Sequence, residues 1–275
     1  MSRSIVCGVD DSAEARRAAE VTVDLAQALG ADPILVHAVD KTPPQTADVD
    51  PAHGADERIL VDKPANALRA VADETDALLV AVGSRGQSPL RSALFGSTSK
   101  DVLRQIDRPV MVVPPEAAAA PLIGGAVVCG VDGSPASDYA VAAAAALGER
   151  LNAELLLVAV EETSSMAPVP AGGVTPPVPP LDAVARAERE RAQQALDDAG
   201  MRLGGASRWR TRVTAGAVAG QLVTTAEEEA AEMIVVGRSD PGPIEALLFG
   251  SVTSVLCSRA PCPVMIVPEG ASLTA

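Results

Sequence analysis

An internal repeat is the feature that most restricts what this chain of 275 residues can fold into. The segment IVCGVDDS at residues 5–12 returns as VVCGVDGS at 127–134. The segment PVMVVP at residues 109–114 returns as PVMIVP at 263–268. Because each copy of such a repeat encodes one folding unit, the sequence predicts two similar domains in tandem.

The two copies differ in length. The first pair of segments is offset by 122 residues and the second pair by 154, so the second copy holds 32 extra residues in its middle. In this insertion, residues spaced three or four positions apart in the sequence predict a helix at about 181–199. The first copy is expected to lack this helix. The Pro-, Ala- and Gly-rich segment 117–125 suits an exposed linker. We therefore expect a first domain at 1–116 and a second at 126–275.

Short apolar runs alternate with helical segments in both copies. The runs of the first copy are SIVCGV, PILVHAV, RILV, ALLVAVG and PVMVVP, and each has a counterpart in the second. Continuous apolar strands separated by helices are typical of a parallel sheet covered on both faces. The predicted fold class is α/β, with two tandem, doubly wound, Rossmann-like domains of five parallel strands each. The closing strands, Val110–Val113 and Val264–Val267, are wholly apolar, so we expect them to pair and join the domains as a pseudo-dimer.

Composition argues against several classes of partner. Lys and Arg total 22 against 36 Asp and Glu, and the formal net charge of -14 repels a polyanion. Aromatic residues are only 1% of the chain, so platforms for stacking nucleic acid bases are missing. No apolar run approaches the ~18 residues of a membrane span, and four cysteines without a C-x-x-C pair do not suggest a metal site. We expect a cytoplasmic protein without nucleic acid, membrane or resident metal.

Glycines gather where a ligand would bind in such a fold. In open parallel sheets, ligands bind outside the carboxyl ends of the strands, where the strand order reverses. The fourth strand of the first copy ends in GSRG at 83–86, and GS at 96–97 opens the next helix. Glycine lets the backbone approach an oxyanion closely, and a helix N-terminus offers unpaired N–H groups to phosphate. Because the P-loop pattern with its lysine is absent, a phosphate here would be held mainly by backbone amides.

These motifs resemble those of the universal stress protein family. The pattern G-x2-G-x9-G-S/T, the V-D-x-S turn after the first strand and the closing P-V-M-V-V-P occur together, and both copies are similar to the family over nearly their whole length. The resemblance implies the adenine nucleotide α-hydrolase-like form of the fold, with ATP, with or without Mg²⁺, in the crevice. It places Asp10 near the adenine and Gly8 beside the base. The implied first site comprises Gly8, Asp10, Ala38, Val39, Gly83, Ser84, Arg85, Gly86, Gly96, Ser97 and Thr98.

The second copy matches the pattern less well. Its counterpart of Gly86 is Asp240, which adds a side chain and an anion beside a triphosphate. The implied second site comprises Gly130, Asp132, Ala159, Val160, Gly237, Arg238, Gly250, Ser251 and Val252. We expect this site to bind ATP more weakly than the first.

The two aspartates have a competing explanation. Asp10 and Asp132 each precede a helix start by two residues. A turn or capping role and a ligand role therefore both stay open.

Three functions fit these residues. The first is an ATP-binding regulator that changes the activity of a protein partner, or its own assembly, under stress. The alternatives are a slow ATP-hydrolysing enzyme and an interaction scaffold with vestigial nucleotide pockets. We favour the regulator, because the sequence shows no evident general base, loop lysine or Ser-Gly-Gly adenylation motif and therefore no assignable catalytic residue.

The missing helix of the first domain also bears on assembly. Without it, apolar sheet surface would be left uncovered, and monomeric proteins rarely expose large apolar patches. We therefore expect a second copy of the chain to cover this surface in a homodimer.

Overall fold

The computed structural model describes residues 3–39, 55–84, 96–117, 124–161, 181–205, 208–238 and 251–273. These residues form ten strands and seven helices. In the first copy they are β1 Ser4–Val9, α1 Ala13–Leu29, β2 Asp32–Val39, β3 Asp56–Val61, α2 Pro64–Glu74, β4 Leu79–Gly83, α3 Ser97–Gln105 and β5 Val110–Val113. In the second copy they are β6 Ala126–Gly130, α4 Pro135–Leu151, β7 Glu154–Glu161, α5 Leu181–Leu203, β8 Trp209–Ala215, α6 Val218–Glu228, β9 Met233–Arg238, α7 Ser251–Arg259 and β10 Val264–Pro268.

All ten strands belong to one sheet, in the order β3-β2-β1-β4-β5-β10-β9-β6-β7-β8. Within each copy the recorded strand pairs are parallel. The chain runs outward from the first strand of each copy and then returns to the other side of it, which is the doubly wound arrangement. The predicted fold class is therefore confirmed.

The two copies join through their last strands. β5 and β10 pair antiparallel, with Met265 opposite Met111 and Ile266 opposite Val110. These side chains are buried, because each apolar strand hides the edge of the other from solvent. The predicted pairing of the fifth strands is confirmed.

Helices cover both faces of this sheet. α1, α4 and α5 pack on one face, where Leu25, Leu147 and Leu196 are buried. α2, α3, α6 and α7 pack on the other, where Leu68 and Leu222 are buried. The core is built from aliphatic side chains, as the scarcity of aromatic residues requires.

Local signals set the ends of the first helix in each copy. Ser12 and Ser134 cap α1 and α4, and each hydroxyl accepts a hydrogen bond from the backbone N–H three residues later, at 3.1 and 3.2 Å. Gly30 and Asn152 end these helices in the left-handed conformation, with φ of 65° and 52°. Both ends match the sequence-based prediction, because Gly and Asn tolerate this conformation best.

The insertion of the second copy forms the expected helix. α5 begins at Leu181 and ends at Leu203, beyond the predicted end at residue 199. It packs on β7 and β8 and buries Leu196. The equivalent segment of the first copy, residues 40–54, lies outside the described residues, so the expected lack of a helix there stays a prediction. On β3, the counterpart of β8, Ile59 and Val61 are 44% and 59% exposed.

The predicted linker is described only in part. Ala117, its first residue, is buried at 2% exposure and belongs to the core on the α1 side of the sheet. The expected exposure of the linker is therefore wrong at this residue, because its side chain packs in that core. Residues 118–123 lie outside the described part of the chain, and the domain boundaries stay predictions.

Candidate functional site

The strand order of the first domain reverses between β1 and β4. Gly8 of β1 pairs with Val82 of β4 on one side and Val36 of β2 on the other, so the carboxyl ends of three strands meet at one edge of the sheet. The predicted residues Gly8, Asp10, Ala38, Val39, Gly83 and Ser84 lie at these ends, and Gly96, Ser97 and Thr98 open α3. Arg85 and Gly86 lie outside the described residues. The topology therefore brings the described residues of the first site to one edge.

The start of α3 is tied to the end of β4. The Gly96 N–H donates to the Ser84 carbonyl at 2.9 Å, and the Ser99 hydroxyl donates to the Gly83 carbonyl at 2.7 Å. Gly96 is the N-cap residue, and no side-chain hydrogen bond caps the helix. The first turn of α3 therefore has backbone N–H groups without a side-chain cap, which is the arrangement that binds anions.

Ser84 is a buried polar residue at this junction. It is 0% exposed, and its hydroxyl has no hydrogen-bond partner among the described residues. Leaving a buried hydroxyl without a partner costs about 1–3 kcal/mol. The junction of β4 and α3 therefore contains a polar group whose hydrogen bonding is incomplete.

The two aspartates hold the turns that precede α1 and α4. One carboxylate oxygen of Asp10 accepts from the Ser12 N–H at 3.0 Å, and Asp132 accepts from the Ser134 N–H at 2.9 Å. The turn role, which the sequence left open, is therefore present in both domains. A ligand role for either aspartate stays a prediction.

Glycines at this edge have packing reasons that the sequence did not reveal. A Cβ added at Gly8 would lie 2.9 Å from Leu68 Cδ1 on α2. A Cβ at Gly237 would lie 2.5 Å from the backbone carbonyl of Ala136 on α4. Gly237 thus needs glycine for close packing against the backbone of α4, whereas a Cβ at Gly8 would meet only the end of the Leu68 side chain. The side of Gly8 on which a Cβ would lie is therefore occupied by Leu68.

The second domain repeats the topology of the first. Gly130 and Asp132 lie at the end of β6, Ala159 and Val160 near the end of β7, Gly237 and Arg238 at the end of β9, and Ser251 and Val252 at the start of α7. Gly250 and Asp240 lie outside the described residues. Val252 stands where the first domain has Thr98, so this helix start has one hydroxyl fewer.

Arg238 has a contact that the sequence did not predict. Its guanidinium donates to the backbone carbonyls of Leu103 and Ile106 in the first domain, at 2.6 and 2.8 Å. The only signal in the sequence is that arginine replaces the small residue Ser84 at the same repeat position. The side chain of this predicted second-site residue is therefore engaged with the other domain.

The cysteines of β1 and β6 are buried thiols. Burial raises the pKa of the Cys7 thiol to about 12, and it also raises the pKa of Cys129, so both thiols are protonated at neutral pH. Among the described residues no group of three or more His, Cys, Asp or Glu side chains could hold a metal ion. Within that same part of the chain, no helix is long and apolar enough to cross a bilayer.

The fold defines a class, a tandem pair of doubly wound α/β domains joined in one sheet. The model of the universal stress protein family matches residues 1–60, 52–114 and 125–268. The chain belongs to the universal stress protein family.

Individual members of the family are similar to this chain in sequence or in fold. A universal stress protein of Mycolicibacterium smegmatis is 30% identical over 84% of this chain and 76% of its own. The crystal structure of a universal stress protein from Archaeoglobus fulgidus covers 98% of this chain and 100% of its own at 17% identity, with a TM-score of 0.66. A crystal structure of a universal stress protein in complex with cAMP is 29% identical over 52% of this chain and 95% of its own, with a TM-score of 0.33.

Proposed function

We propose that this chain is a cytoplasmic, ATP-binding universal stress protein that regulates a protein partner, or its own assembly, in response to the nucleotide. The observation that carries the proposal is the α3 N-terminus, which has no side-chain cap and is bonded to the end of β4 at the reversal of strand order. A helix N-terminus at the carboxyl edge of a parallel sheet is a ready site for phosphate. The exposed residues Ser97 and Thr98 add two hydroxyl donors.

The remaining first-site residues support an adenine nucleotide. Peptide groups of Ala38 and Val39, at the end of β2, would bind the edge of the base. Asp10 would accept a hydrogen bond from the adenine amine and keep the bond from Ser12, because a carboxylate has about four lone-pair sites. A ligand oxygen near Ser84 would give its buried hydroxyl a partner. Mg²⁺ would enter with ATP as its counter-ion, which offsets repulsion by a chain of net charge -14.

The described residues favour binding over hydrolysis. Asp10 follows β1, Cys7 is fully buried in the core under α1, and the phosphates are proposed at α3. The carboxylate is held in a turn, and the buried thiol is protonated. Neither group offers a general base to a water molecule beside the terminal phosphate.

The test is to denature the purified full-length protein, identify any released small molecule by mass spectrometry, and titrate the emptied protein with ATP and Mg²⁺ by calorimetry. The double variant S97A/T98A should bind ATP at least about thirtyfold more weakly, because each of the two hydrogen bonds to a charged group contributes about 1 kcal/mol or more. The matched control is Thr211→Ala, which removes an exposed hydroxyl from β8. Failure of wild-type protein to bind ATP would favour the scaffold, and accumulation of ADP would favour the slow enzyme.

A homodimer is a separate part of the proposal. Ile59 and Val61 are exposed on β3, whereas α5 covers the corresponding face in the second domain. Two exposed β-branched side chains on an edge strand favour association with another surface. We propose that a second copy of the chain packs against Ile59 and Val61 and so forms a homodimer.

A further inference from the structure

The end of β9 reaches across the domain interface to the end of α3. Arg238 Nη1 donates to the carbonyls of Leu103 and Ile106, at 2.6 and 2.8 Å, and Nη2 lies 3.4 Å from the Asp107 carboxylate. The Arg238 side chain is only 17% exposed. A side chain of the second domain is therefore held against a helix of the first.

The carbonyls that Arg238 binds belong to the last turn of α3 and the residue that follows it. The last four carbonyls of an α-helix have no partner within the helix, and Leu103 is one of these four. A positive charge at this end also interacts favourably with the helix dipole. Arginine suits the position, because its planar guanidinium offers several donors in a rigid arrangement. Arg238 thus completes the C-terminus of α3.

The opposite end of the same helix is the proposed phosphate site. α3 has nine residues, so its ends are separated by only about 13 Å. At the N-terminus, the bond from Gly96 to the Ser84 carbonyl connects the helix to β4. At the C-terminus, Arg238 connects it to β9. The direction of the N–H groups of the first turn therefore depends on contacts at both ends.

Among the described residues, which do not include Arg85, the contact does not recur in the opposite direction. Ser84 stands at the repeat position of Arg238, and its hydroxyl bonds to no described residue. The helix equivalent to α3 is α7, and no described side chain of the first domain is recorded on its last carbonyls. In the described part of the chain, the side-chain contact with a helix C-terminus of the other domain therefore runs from the second domain to the first.

We infer that Arg238 is a positioning residue for the first nucleotide site, supplied by the second domain. It fixes the orientation of α3 and so aims the N–H groups at the phosphate. This inference rests on the proposed ATP site of the first domain.

The experiment is hydrogen–deuterium exchange of the full chain at increasing concentrations of ATP with Mg²⁺. Protection of residues 96–105 reports the first site, and protection of residues 251–259 reports the second. The variant is Arg238→Met, and the matched control is Arg104→Met. Arg104 lies in the last turn of α3 and carries the same charge, but its recorded bond is to the Asp101 side chain.

Arg238→Met should raise the ATP concentration for half-protection of residues 96–105 about fivefold to tenfold, which is typical of coupling between sites. Arg104→Met should change it by less than about twofold. Arg238→Lys should restore part of the affinity, because an ammonium still donates to carbonyls. If Arg238→Met fails to fold, the comparison of Arg238→Lys with wild type replaces it, and a shift of at least about twofold is expected.

Equal half-protection in Arg238→Met and Arg104→Met would overturn the inference. Wild-type protein without any protection by ATP would instead overturn the proposed function. In that case, exchange of α3 in the ligand-free protein decides about Arg238. If α3 exchanges faster in Arg238→Met than in Arg104→Met, Arg238 holds the helix in place. Equal exchange in the two variants overturns that role.

Discussion

The two domains share one architecture but differ at the carboxyl edge of the sheet and on one of its faces. At the edge, Ser84 in the first domain corresponds to Arg238 in the second, and Thr98 corresponds to Val252. On the face, α5 covers β8, whereas Ile59 and Val61 of β3 are exposed. The cores on the two faces of the sheet are mainly aliphatic, and each contains buried residues of both domains. Packing on both faces constrains core residues, so the copies can diverge most where only a ligand or partner imposes requirements.

This difference supports unequal roles for the two domains. The first domain has the complete G-x2-G-x9-G-S/T motif and the hydroxyls of Ser97 and Thr98 that the proposed phosphate site uses. The second domain keeps Ser251 at the position of Ser97, but it has Val252 at the position of Thr98 and, at the position of Ser84, Arg238, which binds the first domain. We therefore propose that the second domain supports the first site, and we predict that any nucleotide site of its own is weaker.

The largest expected effect concerns the helix that only the second domain is known to have. Leu196 on α5 is buried against β7 and β8. Leu196→Ala should lower the free energy of unfolding by about 2–5 kcal/mol, because it removes apolar contacts and leaves a cavity. Urea denaturation followed by circular dichroism measures this loss. Met201→Ala on the same helix is the control, since Met201 is 73% exposed, and equal losses in both variants would contradict the packing of α5.

The second effect concerns the exposed face of the first domain. Val61→Ser should weaken the proposed homodimer about thirtyfold, or about 2 kcal/mol, because each of two copies would lose the burial of an apolar side chain. Sedimentation velocity across the micromolar range measures the dissociation constant. Met201→Ser, which removes an exposed apolar residue from the second domain, should leave it unchanged. Wild-type protein that sediments only as a monomer would refute the dimer.

The third effect concerns the inequality of the two nucleotide sites. Gly86 and Asp240 lie outside the described residues, so this prediction comes from the sequence. Two unit charges ~4 Å apart repel by about 1 kcal/mol even in water, and partial burial increases this, so Asp240 should weaken ATP binding at least about tenfold. Calorimetry with ATP and Mg²⁺ should therefore detect one tight site per chain.

Substitutions at Gly86 and Asp240 test the predicted difference in ATP affinity between the two sites. Gly86→Asp should abolish the tight site, and Asp240→Gly should strengthen the weak one. Mg²⁺ bridging Asp240 and the phosphates would reduce the difference, so the titration is repeated without Mg²⁺. Two equal sites that respond to neither substitution would show that the phosphate loop is assigned wrongly.

The smallest effect concerns the matched helix ends. Gly30→Ala should cost about 1 kcal/mol of unfolding free energy, because a Cβ is strained in the left-handed conformation. Asn152→Gly should be neutral or stabilising by a few tenths of a kcal/mol. Chemical denaturation of both variants measures the pair. No loss in Gly30→Ala would mean that the end of α1 rearranges freely.

Much of the fold could be predicted from the sequence because its signals are local or periodic. Ser12 and Ser134 as helix caps, Gly30 and Asn152 as helix ends, and a helix in the insertion, predicted at about 181–199, follow from residue type and spacing. The pairing of β5 with β10 followed from their apolar composition. At the candidate site, the positions of Gly8, Gly83 and Gly96 relative to the strands and α3 could also be predicted, and Gly86 lies outside the described residues.

The sequence alone determined the repeat, the strand and helix pattern and the edge of the sheet where the candidate site lies. Only the tertiary structure decided the antiparallel register of β5 with β10, the contact of Arg238 with α3 and the closeness of Leu68 to Gly8. The physical reason is that capping and periodicity depend on neighbours along the chain, whereas these contacts depend on how far a side chain reaches once two elements distant in sequence have packed together.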